Sequence, residues 1–334
     1  MKVRYRLLTL IAVAALVATA ACGKPAAVGS GPSPLVLEST IPLDGVVGRI
    51  DHLAIDLKRG RLFVAELGNG TVEAIDLASG RSLQRISGLS EPQGLAYLPG
   101  ADELVVASGG DGAVRFYRGA DLAPAGMIKL GDDADNVRVD PASGHVIVGY
   151  GSGALAIIDP VGRAVVGTIS LPGHPESFRL AGERAYVNVP DAQRLVVTDL
   201  SAQRILATWP MPYFMNFPMI LDPATHRVAV VFRLPARLGM FDAGSGRPTS
   251  NVATCGDADD LFFDARRQRF YVTCGAGLVD VFGGPPASER RIARVTTRRG
   301  ARTSLFVPER DRLYVAARAG WGNGAAILVY RPQP

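Results

Sequence analysis

The sequence predicts an all-β protein built from seven copies of one four-stranded unit, and three observations carry this prediction. A valine-centred run recurs every 39 to 43 positions along the 334-residue chain. The seven central valines are Val64, Val106, Val148, Val187, Val230, Val272 and Val315. A similar run precedes each of these, as at 51–56 (DHLAID), and two further β-type runs follow. The 38 glycines and 23 prolines make up about 18% of the residues, which is typical of many short strands and turns.

The runs are rich in Val, Ile, Leu, Phe and Tyr and are too short for helices. A single four-stranded sheet of this composition exposes two apolar faces and cannot stand alone. Stacking the sheets face to face around a ring buries both faces and removes the two ends. The repeat therefore predicts a seven-bladed β-propeller over residues 35–334.

The two ends of the chain predict how the ring closes. The seventh unit ends with its third run at Tyr330 and lacks a fourth. The run LVLESTIPL (35–43) has no unit before it and is similar to the fourth run VVGTISL (165–171). We expect residues 35–43 to complete blade 7 beside the carboxyl-terminal strand.

Two stretches carry a family resemblance, namely AYVNVPDAQRLVVTDL (185–200) and FYVTCGAGLVDVF (270–282). They resemble the YVTN-repeat propellers, the YncE-like family of exported bacterial proteins. The resemblance implies the propeller fold and export. It implies no activity, because the biochemical roles of that family are mostly unassigned.

Residues 1–21 are predicted to be an export signal. Basic residues precede an apolar stretch from Leu7 to Val17, and small residues lead to Cys22. This arrangement resembles a bacterial lipoprotein signal, which implies cleavage before Cys22 and acylation of its sulfur. Ordinary cleavage within residues 18–20 is the alternative. Residues 22–34 then form a lipidated cysteine and a flexible tether.

The lipoprotein resemblance predicts that the protein is exported and lies at the periplasmic face of a membrane. Gly23 carries no retention charge, so the outer membrane is favoured. The acyl anchor is the only membrane contact expected. Nucleic acid is not expected as a partner, because the formal charge of +5 falls to +2 once Lys2, Arg4 and Arg6 are removed with the signal.

Cys255 and Cys274 lie 19 positions apart, a spacing that matches no zinc motif. In an exported chain they either form a disulfide or remain two small buried side chains. Both alternatives stay open at the level of sequence.

The residues just before each first strand are expected to crowd the mouth of the central channel. Aligning the seven units gives the column Asp51, Gln93, Asp135, Glu176, Phe217, Asp259 and Thr303. The next column adds His52, Asn136 and Asp260. These ten residues are the predicted ligand site.

Four carboxylates of this column, those of Asp51, Asp135, Glu176 and Asp259, suggest a possible divalent metal such as Ca²⁺. The alternative, which we favour, is an acidic mouth without a cofactor, whose carboxylates cap turns or pair with Arg49 and Arg302. A non-catalytic binding module for an envelope partner protein or a small ligand is therefore the leading functional prediction. The second is a metal-dependent hydrolase of the lactonase or esterase kind. The chain lacks the Gly-x-Ser-x-Gly, Walker and His-Glu-x-x-His motifs, which favours a protein that is not an enzyme.

Overall fold

The structure is a computed structural model that describes residues 32–222 and 224–334. The predicted signal (1–21), Cys22 and most of the predicted tether lie outside the described residues. The strands form seven antiparallel sheets of four strands each, so the predicted all-β, seven-bladed propeller is confirmed. The first strand, β1, spans Leu35–Pro42.

Blades 1 to 3 each use four consecutive strands. Blade 1 consists of β2 (Leu53–Asp56), β3 (Arg61–Glu66), β4 (Thr71–Asp76) and β5 (Arg81–Ser87). Blade 2 consists of β6 (Pro92–Leu98), β7 (Glu103–Ser108), β8 (Ala113–Arg118) and β9 (Pro124–Lys129). Blade 3 consists of β10 (Val137–Val139), β11 (Val146–Tyr150), β12 (Ala154–Asp159) and β13 (Ala164–Ser170).

Blades 4 to 6 repeat this arrangement. Blade 4 consists of β14 (Phe178–Ala181), β15 (Arg184–Val189), β16 (Arg194–Asp199) and β17 (Arg204–Pro210). Blade 5 consists of β18 (Phe214–Asp222), β19 (Arg227–Leu234), β20 (Ala236–Asp242) and β21 (Pro248–Ala253). Blade 6 consists of β22 (Ala258–Asp264), β23 (Arg269–Cys274), β24 (Leu278–Gly283) and β25 (Arg290–Thr296).

Blade 7 closes the ring. It contains β26 (Thr303–Val307), β27 (Arg312–Ala317) and β28 (Ala326–Pro332), and its outer strand is β1. The register of β1 against β28 runs from Leu35 opposite Pro332 to Pro42 opposite Ala326. The predicted pairing of the amino-terminal strand with the carboxyl-terminal strand is therefore confirmed.

The core lies between the blades. Seven apolar clusters fill the seven interfaces, including the interface between blade 7 and blade 1. All seven repeat valines are fully buried, because each second strand has a neighbouring blade on both faces. The fourth strands lie at the rim and are mostly exposed, as in β5, which explains their polar composition.

The antiparallel order places the turns at two ends of each blade. The connections between blades and the turns from second to third strand lie at one end, which we call the upper face. The remaining turns form the lower face. The residues that precede each first strand therefore belong to the upper face.

Ion pairs join neighbouring blades at two equivalent places. Arg59 of blade 1 contacts Asp102 of blade 2 at 2.6 Å, and Arg267 of blade 6 contacts Asp311 of blade 7 at 2.6 Å. In both cases the arginine also contacts the aspartate that ends its own first strand. The same arginine–aspartate arrangement thus occurs at two of the interfaces between blades.

Cys255 and Cys274 form a disulfide, with their Cα atoms 5.9 Å apart. Cys255 lies in the connection between blades 5 and 6, and Cys274 ends β23. The bridge therefore attaches that connection to blade 6. Among the described residues, no helix is long and apolar enough to span a bilayer.

Candidate binding site at the channel mouth

A cavity of about 380 Å³ opens on the upper face, at the end of the central channel. We call it the channel mouth. Its walls include five of the predicted site residues, namely Gln93, Asp135, Glu176, Phe217 and Asp259. Arg49, Glu91, Asp133, His174, Arg233 and Arg302 complete its polar lining.

Backbone pairing with the second strand of the same blade holds each of these residues in place. The amide of Asp51 donates to the carbonyl of Ala65 at 2.8 Å, and the amide of Asp135 donates to Gly149 at 2.9 Å. The amide of Glu176 donates to Asn188 at 3.0 Å. The repeat therefore places one side chain per blade at an equivalent position around the axis.

Blade 7 departs from the predicted column. Leu53 pairs with Val64 in blade 1, whereas Ser304 pairs with Val315 in blade 7. The residue equivalent to Asp51 is thus Arg302, and Thr303 is turned away, with its hydroxyl donating to the carbonyl of Ile50 at 3.3 Å. The two paired residues lie eleven positions apart in the sequence in both blades. This spacing already indicated that Arg302, and not Thr303, is the equivalent of Asp51.

One side of the mouth is neutralised by arginines. Arg49 contacts Asp51 at 2.7 Å, and Arg302 contacts Asp259 at 2.9 Å. Arg233 also pairs with Asp259. Its guanidinium carbon lies 3.9 Å from the centre of the Phe217 ring, a cation–π contact that connects the one aromatic member of the column to the network.

The opposite side of the mouth is acidic and has no arginine partner among the described residues. One ligand atom each of Asp135, His174 and Glu176 lies within 4.8 Å of the other two. We call these three residues the acidic cluster. Asp133 lies beside it, 3.5 Å from Nδ1 of His174.

Burial shapes the protonation of the two carboxylates in this cluster. Burial, and next the charge of Glu176, raises the pKa of Asp135 to about 7. Burial, and next the charge of Asp259, raises the pKa of Glu176 to about 8. Burial is the larger cause in both cases, so both carboxyl groups keep a proton to higher pH than ordinary carboxyl groups do.

The second predicted column lies deeper. His52 places Nε2 3.8 Å from Oδ1 of Asp135, so blades 1 and 3 approach each other across the channel. The side-chain amide of Asn136 lies 3.3 Å from Asp135. Asp260 accepts a hydrogen bond from the amide of Ser304 at 2.6 Å, and burial raises its pKa. Below them, Arg138 and Arg179 line the lower part of the channel.

A glycine sets the distance between the first strands of blades 2 and 3. A Cβ atom at Gly94 would lie 1.9 Å from the carbonyl oxygen of Asp135. No side chain fits there, so Gly94 allows Asp135 to sit at the wall of the channel.

Besides Arg49 and Arg302, four polar members of the mouth lie outside the predicted ligand site, namely Glu91, Asp133, His174 and Arg233. His174 precedes Glu176 by two positions, as Arg49 precedes Asp51, so strand alternation placed it on the same side. Arg233 carries no such signal. It reaches the mouth because β19 continues to Leu234, beyond the end of the other second strands.

Apolar side chains rise beside the mouth on blade 5. Phe214 and Leu234 are strand partners, and they are 56% and 60% exposed. Met215 adjoins them and is also exposed. We call these three residues the crest. Trp321, in the upper-face turn of blade 7, is fully exposed.

Solved structures share this architecture. A chain in the crystal structure of a mitotic checkpoint complex superposes with a TM-score of 0.77 at 14% identity, over 99% of both chains. A chain of hydrazine synthase from Kuenenia stuttgartiensis gives 0.73 at 14% identity, over 87% of this chain and 98% of that one. At this identity the likeness shows the fold alone. No protein-family model and no curated protein matches the chain.

Proposed function

We propose that this protein is a non-catalytic binding module that docks a partner protein on its upper face and takes a positively charged group into the channel mouth. The crest beside the acidic mouth is the observation that carries this proposal. The similar chain from the mitotic checkpoint complex belongs to an assembly, which agrees with a docking role.

The crest has the properties of an interaction surface. Phe214, Met215 and Leu234 adjoin one another, and large apolar or aromatic side chains supply most of the energy at protein interfaces. Trp321 adds a second exposed aromatic on the same face.

The charged residues that line the mouth indicate which kind of group it can bind. Five carboxylates and three guanidiniums line the cavity. The acidic cluster, with Asp133 beside it, forms a side of the mouth on which no carboxyl group has an arginine partner among the described residues. A cation is the complement of this side, whether it arrives as a basic side chain, an amine or an ion.

Site-specific crosslinking tests the docking surface. A photo-crosslinking phenylalanine analogue is placed at position 214, at position 234 or at position 161, in the cells that produce the protein. Val161 is the matched control, because it is 87% exposed on the lower face. We expect one discrete adduct from positions 214 and 234 and none from position 161.

A substitution then checks that the adduct reports binding. Leu234→Asp should lower the yield from position 214 by about tenfold or more, whereas Val161→Asp should leave it unchanged. The same adduct from position 161, or no adduct from the crest, would exclude the upper face as the docking surface.

A second candidate function is metal-dependent hydrolysis of a lactone or ester. The acidic cluster favours it, since carboxylate and imidazole ligands in an open cavity are one way to activate water. A hydrolysis screen with added Zn²⁺ decides between the two functions. Turnover that is lost in both Asp135→Asn and Glu176→Gln would replace the binding proposal.

We also propose that the chain is a YVTN-repeat lipoprotein anchored through Cys22 at the periplasmic face of a bacterial membrane, with the outer membrane favoured. The signal-like residues 1–21 support this, as does the disulfide, because disulfides persist in oxidising compartments. The arginine-rich strand β25 gives no support to nucleic-acid binding. Its Arg291 and Arg294 both contact the buried Asp280.

A further inference from the structure

We propose that the acidic cluster of Asp135, His174 and Glu176 binds one divalent transition-metal ion. This inference rests on the proposed function for its location, since it names the positive charge that the mouth receives. It needs no partner protein, so it can fail or succeed separately.

The three side chains come from neighbouring blades. Asp135 belongs to blade 3, and His174 and Glu176 precede the first strand of blade 4. Their ligand atoms lie within 4.8 Å of one another, so small side-chain rotations bring them around one ion. The cavity leaves room for water at the remaining coordination positions.

An unsatisfied oxygen points to a ligand. Asp135 is only 7% exposed, and its Oδ1 atom is buried. This oxygen has no hydrogen-bond partner among the described residues. A buried carboxylate oxygen without a partner is costly, and a cation would remove that cost. His52 is the nearest basic group, but its Nε2 lies 3.8 Å away, beyond hydrogen-bond distance.

The orientation of His174 is a second, independent observation. Its Nδ1 lies 2.6 Å from the carbonyl oxygen of Gly151. A carbonyl only accepts, so Nδ1 donates to it, and in the neutral ring the lone pair is then on Nε2. A ring nitrogen that donates to a carbonyl while the other stays free is the arrangement found in metal-binding histidines.

The donor set selects the class of ion. Ca²⁺ takes six to eight oxygen ligands, and the other two carboxylates of the predicted column, those of Asp51 and Asp259, are paired with arginines. One imidazole with two carboxylates suits Zn²⁺ and similar first-row ions better. The ligand set proposed here thus differs from the four carboxylates suggested by the sequence alone.

Calorimetric titration tests the site directly. The full chain is stripped with a chelator, dialysed and titrated with ZnCl₂. We expect one equivalent to bind, and we expect His174→Gln and Asp135→Asn each to weaken binding by about tenfold or more. Co²⁺ in place of Zn²⁺ should give a visible absorption band that His174→Gln abolishes or shifts.

Two matched variants control for charge and for adventitious histidine binding. Glu183→Gln removes one negative charge from the lower face, outside the mouth, and His145→Gln removes a lower-face histidine. Both should keep the wild-type affinity within about twofold, and circular dichroism confirms that every variant is folded.

The results of the titration and of the crosslinking experiment test the metal site and the docking surface separately. No saturable Zn²⁺ binding, or a loss with Glu183→Gln as large as that with His174→Gln, overturns the metal site. Neither result bears on crosslinking from the crest, which tests docking. Saturable Zn²⁺ binding with no adduct from the crest would support the metal site and leave docking on the upper face overturned.

Discussion

Two glutamates of blade 1 lie side by side inside the protein. Glu66 and Glu73 are both buried, and Arg85 contacts Glu73 at 2.6 Å and Glu66 at 3.5 Å. Burial, and next its hydrogen bond with Glu73, raises the pKa of Glu66 to about 8. One guanidinium thus serves two carboxylates, and the pair holds a proton at neutral pH.

This proton makes stability depend on pH. The folded state keeps the Glu66 proton up to about pH 8, whereas the unfolded chain loses it near the ordinary glutamate pKa of 4.5. Between these values the folded state binds more protons, so the free energy of unfolding falls as pH rises through this window. We expect Glu66→Gln to raise the free energy of unfolding by roughly 1–3 kcal/mol at pH 9 and to have little effect at pH 5.

Urea unfolding at both pH values measures this difference. Glu183→Gln is the control, because Glu183 is exposed. If the wild type and Glu66→Gln lose stability in parallel between pH 5 and pH 9, Glu66 is not the group that holds the proton.

At the scale of the element, β1 decides whether the ring is closed. Its two buried apolar side chains face different blades. Leu35 joins the cluster between blades 6 and 7, and Ile41 joins the cluster between blades 7 and 1. The residues between them, from Val36 to Thr40, are exposed. The strand therefore contributes through its two ends as well as through its backbone ladder with β28.

Ile41→Ala should destabilise the whole ring, because it opens a cavity at the interface that joins the first and last blades. We expect a loss of about 2–4 kcal/mol in the free energy of unfolding. Leu37→Ala, in the same strand but 49% exposed, should change it by less than about 0.5 kcal/mol. Equal effects of the two substitutions in urea unfolding would show that the contact of β1 with blade 1 does not contribute to closure.

At the scale of the whole molecule, every blade has the same kind of neighbour on both sides. Each of the seven interfaces has its own apolar cluster, and the disulfide and the two equivalent ion pairs strengthen three of the joints. The closed ring presents its channel mouth and its crest on the same face. The tether proposed for residues 22–34 would join the propeller at the lower face, where β1 begins, and would hold the ring near a membrane without embedding it.

The proposed anchor can be separated from the fold. Cys22→Ser should move the protein from the membrane fraction to the soluble fraction, because the acyl chain supplies the apolar burial in the bilayer. Its urea unfolding should match that of the wild type, since Cys22 is not part of the propeller. A Cys22→Ser chain that stays in the membrane fraction would contradict lipidation, as would a wild-type chain that takes up no labelled fatty acid.

The amino-acid sequence by itself determined the seven units, their strands and the closure by residues 35–43. The strands and turns are local to each unit of about forty residues, whereas the closure followed from the missing fourth run of the seventh unit and the extra run at 35–43. It also located the five column residues that line the mouth, from Gln93 to Asp259, since the same spacing recurs in each blade. Blade 7 was displaced by one residue because its apolar Leu305 was aligned in place of Ser304, the partner of Val315.

Only the tertiary structure decided which charges meet. Arg302 meets Asp259 from the next blade, and Arg233 reaches the same carboxylate because β19 is long. These pairings leave Asp135 and Glu176 beside His174 without an arginine. Such contacts depend on the distances between side chains of different blades. The spacing of the repeats in the sequence does not give these distances. Coulomb interactions act over those distances, so the character of the site follows from the closed ring.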